Sequence, residues 1–402
     1  NEEIVSPFLP TPLPTRTTNS YALEGQTHFM AGDLNRAITA YQSAIQLDPT
    51  NLELYAELAR IQTYSTTLLT TDTEKFQRLQ DAMTVINQAL EVSTDDSGIW
   101  AAKSFVENWL SNAGLSGDEA AAFATNAEQS AVRALQLDNS NTLALVYYAE
   151  LLIDQQKWQQ AEQYIQQALD KDPSLMDVHR VYGYLQETYS NYGEAINAYK
   201  RAVEITPNFT YLHLAIGLNY RVLENYDMAL EYFDKAATIN SQLGVLDPLP
   251  YLAIGKTYTR MGEFFVASRN VLKALQYNPY SPDVYGQLGI VYFKSRNYEG
   301  SLEALKCATL GCTAEESCAV RKCDTETDPE IAIEGMQVSS SSVVYWYTYG
   351  SALAGLHRPY NTYCQQALDI FDQVREKFGE DNEIMSIITP SEEICASFGV
   401  TR

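Results

Sequence analysis

The sequence predicts an all-α solenoid of stacked helix pairs, and three observations carry that expectation. Apolar residues recur with helical spacing in consecutive short segments, two segments to a unit. A landmark Ala returns at Ala161, Ala195 and Ala229, 34 residues apart each time. A Pro closes its unit at Pro49, Pro173 and Pro207. Self-similarity at a fixed period of roughly 20–50 residues is the mark of solenoids and related arrays.

Composition narrows the class further. The chain has 402 residues, 46% apolar and 19% charged, the balance of a folded chain and not of a disordered or collagen-like one. It holds no run of 18 apolar residues, so no spanning helix is expected. Its 51 acidic and 27 basic side chains leave a formal charge of −24, which argues against nucleic acid as a partner because phosphate repels it. Tyr is unusually common, 28 against 13 Phe, and suits half-buried contact surfaces.

Residues 1–18, NEEIVSPFLPTPLPTRTT, carry four Pro and should be an extended tail. The chain begins at Asn1 and not Met, as expected if a signal peptide has been removed. Repeats then fill residues 19–312, about eight of them. The unit at 19–51 comes first. Those at 52–96 and 97–141 are enlarged by TTLLTTDTEKF and NAGLSGDEAAA between their helices. Regular units follow at 142–175, 176–209 and 210–243, then 248–281 and 282–312. Ala37, Ala161, Ala195 and Ala229 open second helices, with Ala44, Ala168, Ala202 and Ala236 seven residues on. Small residues at those places let helices approach closely. Residues 313–342 interrupt the array with Cys and acids. A ninth pair and a C-terminal cap are expected in 343–402, because the outer face of a terminal repeat needs a cover.

The phase of these positions resembles the tetratricopeptide repeat family. Gly25, Ala149, Gly183, Gly217, Gly255 and Gly289 stand where its first helices carry a small residue. Tyr220, Tyr258 and Tyr292 match the aromatic that follows, and Tyr41, Ile165, Tyr199 and Phe233 match the bulky core residue of the second helix. The resemblance implies a right-handed superhelix whose first helices line a concave, peptide-binding groove. On that face units five and six present Arg180, Tyr184, Tyr211, Leu214, Leu218 and Arg221. Units seven and eight present Leu252, Lys256, Arg260, Ile290, Phe293 and Lys294. Five basic residues there meet only Asp177, Glu187 and Asp283. An apolar strip edged with cations suits an extended peptide carrying acids; the bland alternative is that the cations pair with neighbouring helices. The family's chaperone-tail clamp is not recognisable, because the first unit has Ala22 and Gln26 on that face.

No catalytic constellation emerges. The metalloprotease, nucleophile-elbow, phosphate-loop and dinucleotide motifs are all missing. Of four His, His179 and His213 occupy the same place in successive first helices, His28 falls where Tyr usually packs, and His357 lies in a loop; all read as structural. The chain is therefore expected to be no enzyme and to need no cofactor. Asp324, Glu326, Asp328 and Glu330 alternate like ligands of a hard cation such as calcium. They lack the EF-hand Gly and distant Glu, which favours a solvated acidic loop.

Six Cys, at Cys307, Cys312, Cys318, Cys323, Cys364 and Cys395, crowd the last hundred residues with spacings wrong for zinc. Disulfides are expected, with Cys364 and Cys395 a candidate pair, and with them an extracellular or cell-surface location. Asn208 heads the single N-glycosylation sequon, in a turn expected to be exposed. Thr11, Thr15, Thr17 and Thr18 give the tail the composition of an O-glycosylated segment. Protein or peptide partners are expected, including other copies of the chain. Glu2 and Glu3 with Ile4, Val5, Phe8 and Leu9 could anchor the tail in a neighbour's groove, making an open-ended polymer. The alternative is a monomeric adaptor for a foreign peptide in envelope biogenesis.

Overall fold

The computed structural model describes residues 16–324 and 328–401. The tail anchors Glu2, Glu3, Ile4, Val5, Phe8 and Leu9, the threonines Thr11 and Thr15, and Glu326 lie outside the described residues. Within them the chain is helical, and two compact units divide between Asn219 and Tyr220.

The first unit pairs α1 (Thr18–Met30) with α2 (Leu34–Leu47) and α3 (Leu52–Ser65) with α4 (Asp72–Val92). Next come α5 (Ser97–Leu110), the single turn α6 (Ala113–Ser116) and α7 (Ala120–Leu137). Then α8 (Thr142–Asp154) pairs with α9 (Trp158–Lys171), and α10 (Met176–Thr188) with α11 (Tyr192–Ile205). The boundary falls inside α12 (Thr210–Val222). The second unit continues with α13 (Tyr226–Leu243), α14 (Leu249–Met261) and α15 (Phe264–Tyr277), then α16 (Pro282–Lys294) and α17 (Tyr298–Thr309). It ends with α18 (Ala314–Arg321), α19 (Val343–Gly355), α20 (Tyr363–Phe378) and α21 (Asn382–Ser397). Thr17 and Thr18, assigned to the tail from sequence, belong to the first helix: Thr17 is its N-cap and accepts the Ser20 N–H.

The repeated small residues work by proximity. Ala37, Ala161, Ala195 and Ala229 are fully buried. A Cβ on Gly183 would stand 2.8 Å from the Tyr199 ring, so the large residue of the second helix occupies the volume that the first helix leaves empty. Burying a ring such as Tyr199 or Phe233 contributes about 1.5–3 kcal/mol. The turn within each regular pair needs one residue with positive φ. Gly32 and Gly262 supply it without strain, while Gln156, Ser190, Glu224 and Arg296 adopt φ of 58–65° in the equivalent turns. In three of these pairs an Asp or Asn side chain, Asp33, Asn225 or Asn297, then caps the second helix.

The connection between pairs has its own lock. His179 and His213 each hold the carbonyl of the Pro six residues earlier at 2.8 Å, and Tyr55 and Tyr285 donate to the equivalent carbonyls of Pro49 and Pro279 at 3.2 Å. The two histidines are therefore polar-tipped packing residues. His357 accepts the Cys364 N–H at 3.2 Å, and His28 lies 3.9 Å from Glu24.

The Cys-rich insert is held in place by backbone and disulfides. Cys307–Cys312 ties the end of α17 to the next turn, Cys318–Cys323 closes the end of α18, and Cys364–Cys395 joins α20 to α21. Cys312 and Ile333 exchange two backbone hydrogen bonds of 2.9 Å, and Ile331 and Ile333 are buried. Ile384, Ile388 and Cys395 of α21 are buried in one cluster with Tyr349, Phe371 and Val374 of α19 and α20.

Candidate protein-binding face

The first helices of unit 1 do not leave an open groove. Arg60 of α3 reaches Asp177 of α10, 117 positions later, with Nε at 3.2 Å from both carboxylate oxygens and Nη2 at 2.5 Å from Oδ2. Tyr64 and Tyr147 also donate to Asp177, the latter at 3.0 Å. Arg180 donates to the Tyr64 hydroxyl at 3.0 Å and clasps Glu150 of α8 at 2.9 and 2.5 Å. Aromatic rings fill the remainder: Phe105 stacks on Tyr147 at 4.2 Å, and Tyr64 meets Phe209 at 5.1 Å. Phe29 of the first repeat lies 6.4 Å from Phe209, and Gly32 lies against the Asn208 carbonyl. The first and fifth helix pairs of this unit thus meet, and its inner face is occupied by its own side chains.

Electrostatics follow from that packing. Burial alone would raise the Asp177 carboxyl, but Arg60, Arg180 and the Tyr64 hydroxyl hold it down at about 2. Burial pushes the Glu150 carboxyl upward despite Arg180 beside it. Both arginines stay charged because each has a carboxylate partner in the dry interior.

Several expected groove residues are accordingly reassigned. Arg180 is 2% exposed and fully paired, so it cannot meet a ligand, and the acid Asp177 is equally consumed. Leu252 is buried core rather than groove lining. Tyr184 is half-buried and gives its hydroxyl to Asp154 at 2.7 Å, Tyr211 is half-buried beside Arg180, and Glu187 accepts from Asn219. Leu214 is half-buried and Leu218 exposed. The Asn208 turn is not the exposed one expected: Asn208 is half-buried, and Phe209 and Thr210 are buried, because the first repeat packs there.

Unit 2 differs. Arg221 and Lys256 are half-buried, and Arg260 and Lys294 are exposed. Ile290 and Phe293 are half-buried beside them in sequence, with Phe293 5.4 Å from the Tyr298 ring. Arg221 Nη1 donates to the Ala253 carbonyl at 3.3 Å and its guanidinium lies 5.7 Å from the Phe233 ring. None of Arg221, Lys256 and Arg260 forms an ion pair with the described residues. Burial, and then Arg260, lower the Arg221 pKa; burial lowers that of Lys256, opposed by Asp283 and aided by Arg221. Asp283 is itself taken by the Tyr345 hydroxyl at 2.5 Å.

Among the described residues no group of three or more His, Cys, Asp or Glu is placed to hold a metal. In the acidic loop Asp328 accepts the Asp324 N–H at 2.8 Å, and Glu330 is exposed. No helix of the described residues is long and apolar enough to cross a membrane.

Sequence reasoning found the cations but missed Arg60, Tyr64, Tyr147 and Glu150. Arg60 sits in an enlarged repeat where the phase is broken, and its partner is a hundred residues away. No periodic signal marks such a pair.

A stack of helix pairs presenting one row of first-helix side chains defines a helical repeat solenoid. Residues 25–62 match the TPR repeat family, and residues 148–208 and 211–243 match tetratricopeptide repeat families. The chain is a tetratricopeptide repeat protein. A search of curated proteins gave no match. Among solved structures it is similar to a tetratricopeptide repeat protein from Parabacteroides merdae, 17% identical over 68% of this chain and 98% of that one, with a TM-score of 0.40. The human IFIT1 dimer with PPP-AAAA is 18% identical over 72% and 71% of the two chains, with a TM-score of 0.47. The APC/C hetero-tetramer Cut9–Hcn1 is 14% identical over 96% and 72%, with a TM-score of 0.46. The likeness is one of helix-pair architecture and extends to no partner.

Proposed function

We propose that the chain is a non-catalytic scaffold acting outside the cytoplasm, which binds extended protein segments on the first-helix face of unit 2. Proteins of this repeat family are in general scaffolds for protein–protein interaction. The observation that carries the placement is the contrast in pairing. The inner face of unit 1 is filled by its own ion pairs, whereas in unit 2 Arg221, Lys256 and Arg260 form no ion pair with the described residues, Asp283 acting on Lys256 only at longer range. Three disulfides, all in unit 2, support an oxidising compartment.

The segment favoured by sequence is the N-terminal tail of another copy. Its Glu2 and Glu3 complement the cations, and Ile4, Val5, Phe8 and Leu9 supply apolar anchors. Each copy then offers one tail and one face, and contacts of that kind which do not close produce open polymers. Deleting residues 1–15 tests this. Light scattering and negative-stain microscopy should find assemblies for the full chain and monomers for the truncated one. Assemblies that persist after deletion would refute tail docking. A full chain that stays monomeric at high concentration would instead favour an adaptor for a foreign peptide.

A further inference from the structure

Unit 1 holds a groove of about 530 Å³ between α2 and α4, the second helices of its first two pairs, with α3 as the floor. Leu58 and Gln62 of α3 lie buried at that floor. The Gln62 side chain is 4% exposed, yet its Oε1 has no hydrogen-bond partner among the described residues. Gln186 shows what a regular repeat provides at this position. Gln62 stands seven residues after Tyr55, and Gln186 seven after His179, the two residues that hold the preceding Pro carbonyl. Gln186 Oε1 accepts the Asn191 Nδ2–H at 3.0 Å, from the turn of its own pair. The same step from Gln62 reaches Thr67, in the enlarged loop, whose hydroxyl donates to the Tyr64 carbonyl instead. The enlargement of this repeat has thus removed the donor and left a buried acceptor open to a groove. An acceptor buried without a donor is costly, so a donor brought by a ligand is rewarded there.

The rest of the lining says which ligand fits. Gln42 and Gln46 stand one turn apart on α2, across the groove from Gln88 on α4, and all three are exposed at the rim. A carboxamide can accept from one hydroxyl while donating to the next, so several of them suit a ligand whose groups are donor and acceptor at once. Ile45 and Val85 join Leu58 in an apolar strip that takes C–H surface. Asp81 is the single charged residue lining the groove among the described residues, so phosphates and carboxylates find no cation and are repelled. A cationic ligand would find only Asp81, which already accepts from Gln77 at 3.0 Å. We propose that this groove binds a neutral saccharide, with Gln62 accepting a ligand hydroxyl at the floor and the rim amides engaging its neighbours. Small-ligand pockets occupy about 300–1,000 Å³, and this one lies within that range. The site lies in the other unit from the proposed segment-binding face and does not depend on it.

Saturation-transfer NMR and calorimetry on the full chain should use a panel of neutral disaccharides: maltose, cellobiose, lactose and N,N′-diacetylchitobiose. Putrescine and trialanine amide serve as probes of cationic and peptide chemistry. At least one disaccharide should bind the parent with millimolar affinity. Gln62→Leu removes the unpartnered amide at nearly constant volume, so it should melt no lower than the parent and bind that sugar at least tenfold more weakly. Gln88→Ala changes an exposed rim residue and should weaken the sugar severalfold at an unchanged melting temperature. Sugar binding that both variants leave intact overturns the site. Failure of every disaccharide, or binding of putrescine or trialanine amide in their place, overturns the ligand class. A markedly lower melting temperature for Gln62→Leu, with sugar binding unchanged in Gln88→Ala, refutes the proposal as a whole.

Discussion

The two units treat the same structural position in opposite ways. In unit 1, first-helix cations are matched: Arg60 with Asp177 and Arg180 with Glu150, both inside a ring of aromatic side chains. In unit 2, Arg221, Lys256 and Arg260 form no ion pair with the described residues, and Asp283 acts on Lys256 only at longer range. A basic residue on a first helix is thus not in itself a ligand contact. What decides is whether another helix of the same unit brings a carboxylate to it. Unit 1 does so in two ways: α8 of the adjacent pair brings Glu150 to Arg180, and the return of α3 against α10 joins residues 117 positions apart.

The largest effect expected from breaking that contrast is at Asp177. Asp177→Asn takes from Arg60 its fully buried carboxylate and leaves it only the half-exposed Glu57 at 3.0 Å, which should cost up to about 3–5 kcal/mol. The loss should be confined to unit 1. Trp100, Trp109 and Trp158 all lie there, so a Trp346→Phe background gives a fluorescence readout of that unit alone. The same carboxylate sets a pH dependence. Its folded value of about 2 lies below the ordinary 3.8, so its stabilisation is present above about pH 4 and is lost as pH falls towards 2. The unfolding free energy of unit 1, from urea titrations, should drop across that window by about 2 kcal/mol in the parent and much less in Asp177→Asn.

Unit 2 depends on covalent ties instead. Replacing Cys364 and Cys395 together by Ala removes the link between α20 and α21 and should cost about 2–4 kcal/mol. Trp346 fluorescence should report the earlier unfolding, while the unit 1 transition stays in place. A shift of both transitions together would mean that the units do not unfold independently.

The smallest effect tests the turns. Ser190→Gly relieves a φ of 59° and should gain about 1 kcal/mol or less. Gly32→Ala, at the equivalent turn, should lose more than that, because the added methyl also meets the Asn208 carbonyl where the first repeat packs. Thermal melts of the two variants check the opposite signs. A neutral Gly32→Ala would weaken the closure of unit 1 on itself.

Much of the architecture was legible because its causes are local. Helix pairs follow from apolar spacing, the tight packing within pairs from Ala37, Ala161, Ala195 and Ala229, and the breaks from Pro. His179 and His213 were readable as packing residues because they recur in phase, and each binds a carbonyl only six residues away. The cations of the candidate face were legible as residue types at the right register. Their availability was not. Arg180 and Arg221 look alike in sequence, one residue type on the same helix face in adjacent repeats. Glu150 of the adjacent repeat takes up Arg180, and the return of α3 against α10 adds Tyr64 and seals the network.

The amino-acid sequence by itself determined the period, the helix pairs and the clustering of the cysteines, since each depends on neighbours within a few tens of residues. Tertiary structure alone decided which charges are spent and which remain. That outcome depends on which helices far apart in the chain return to one another, as α3 does to α10. It brings Asp177 to Arg60 in unit 1 and leaves Arg221, Lys256 and Arg260 of unit 2 outside any ion pair with the described residues.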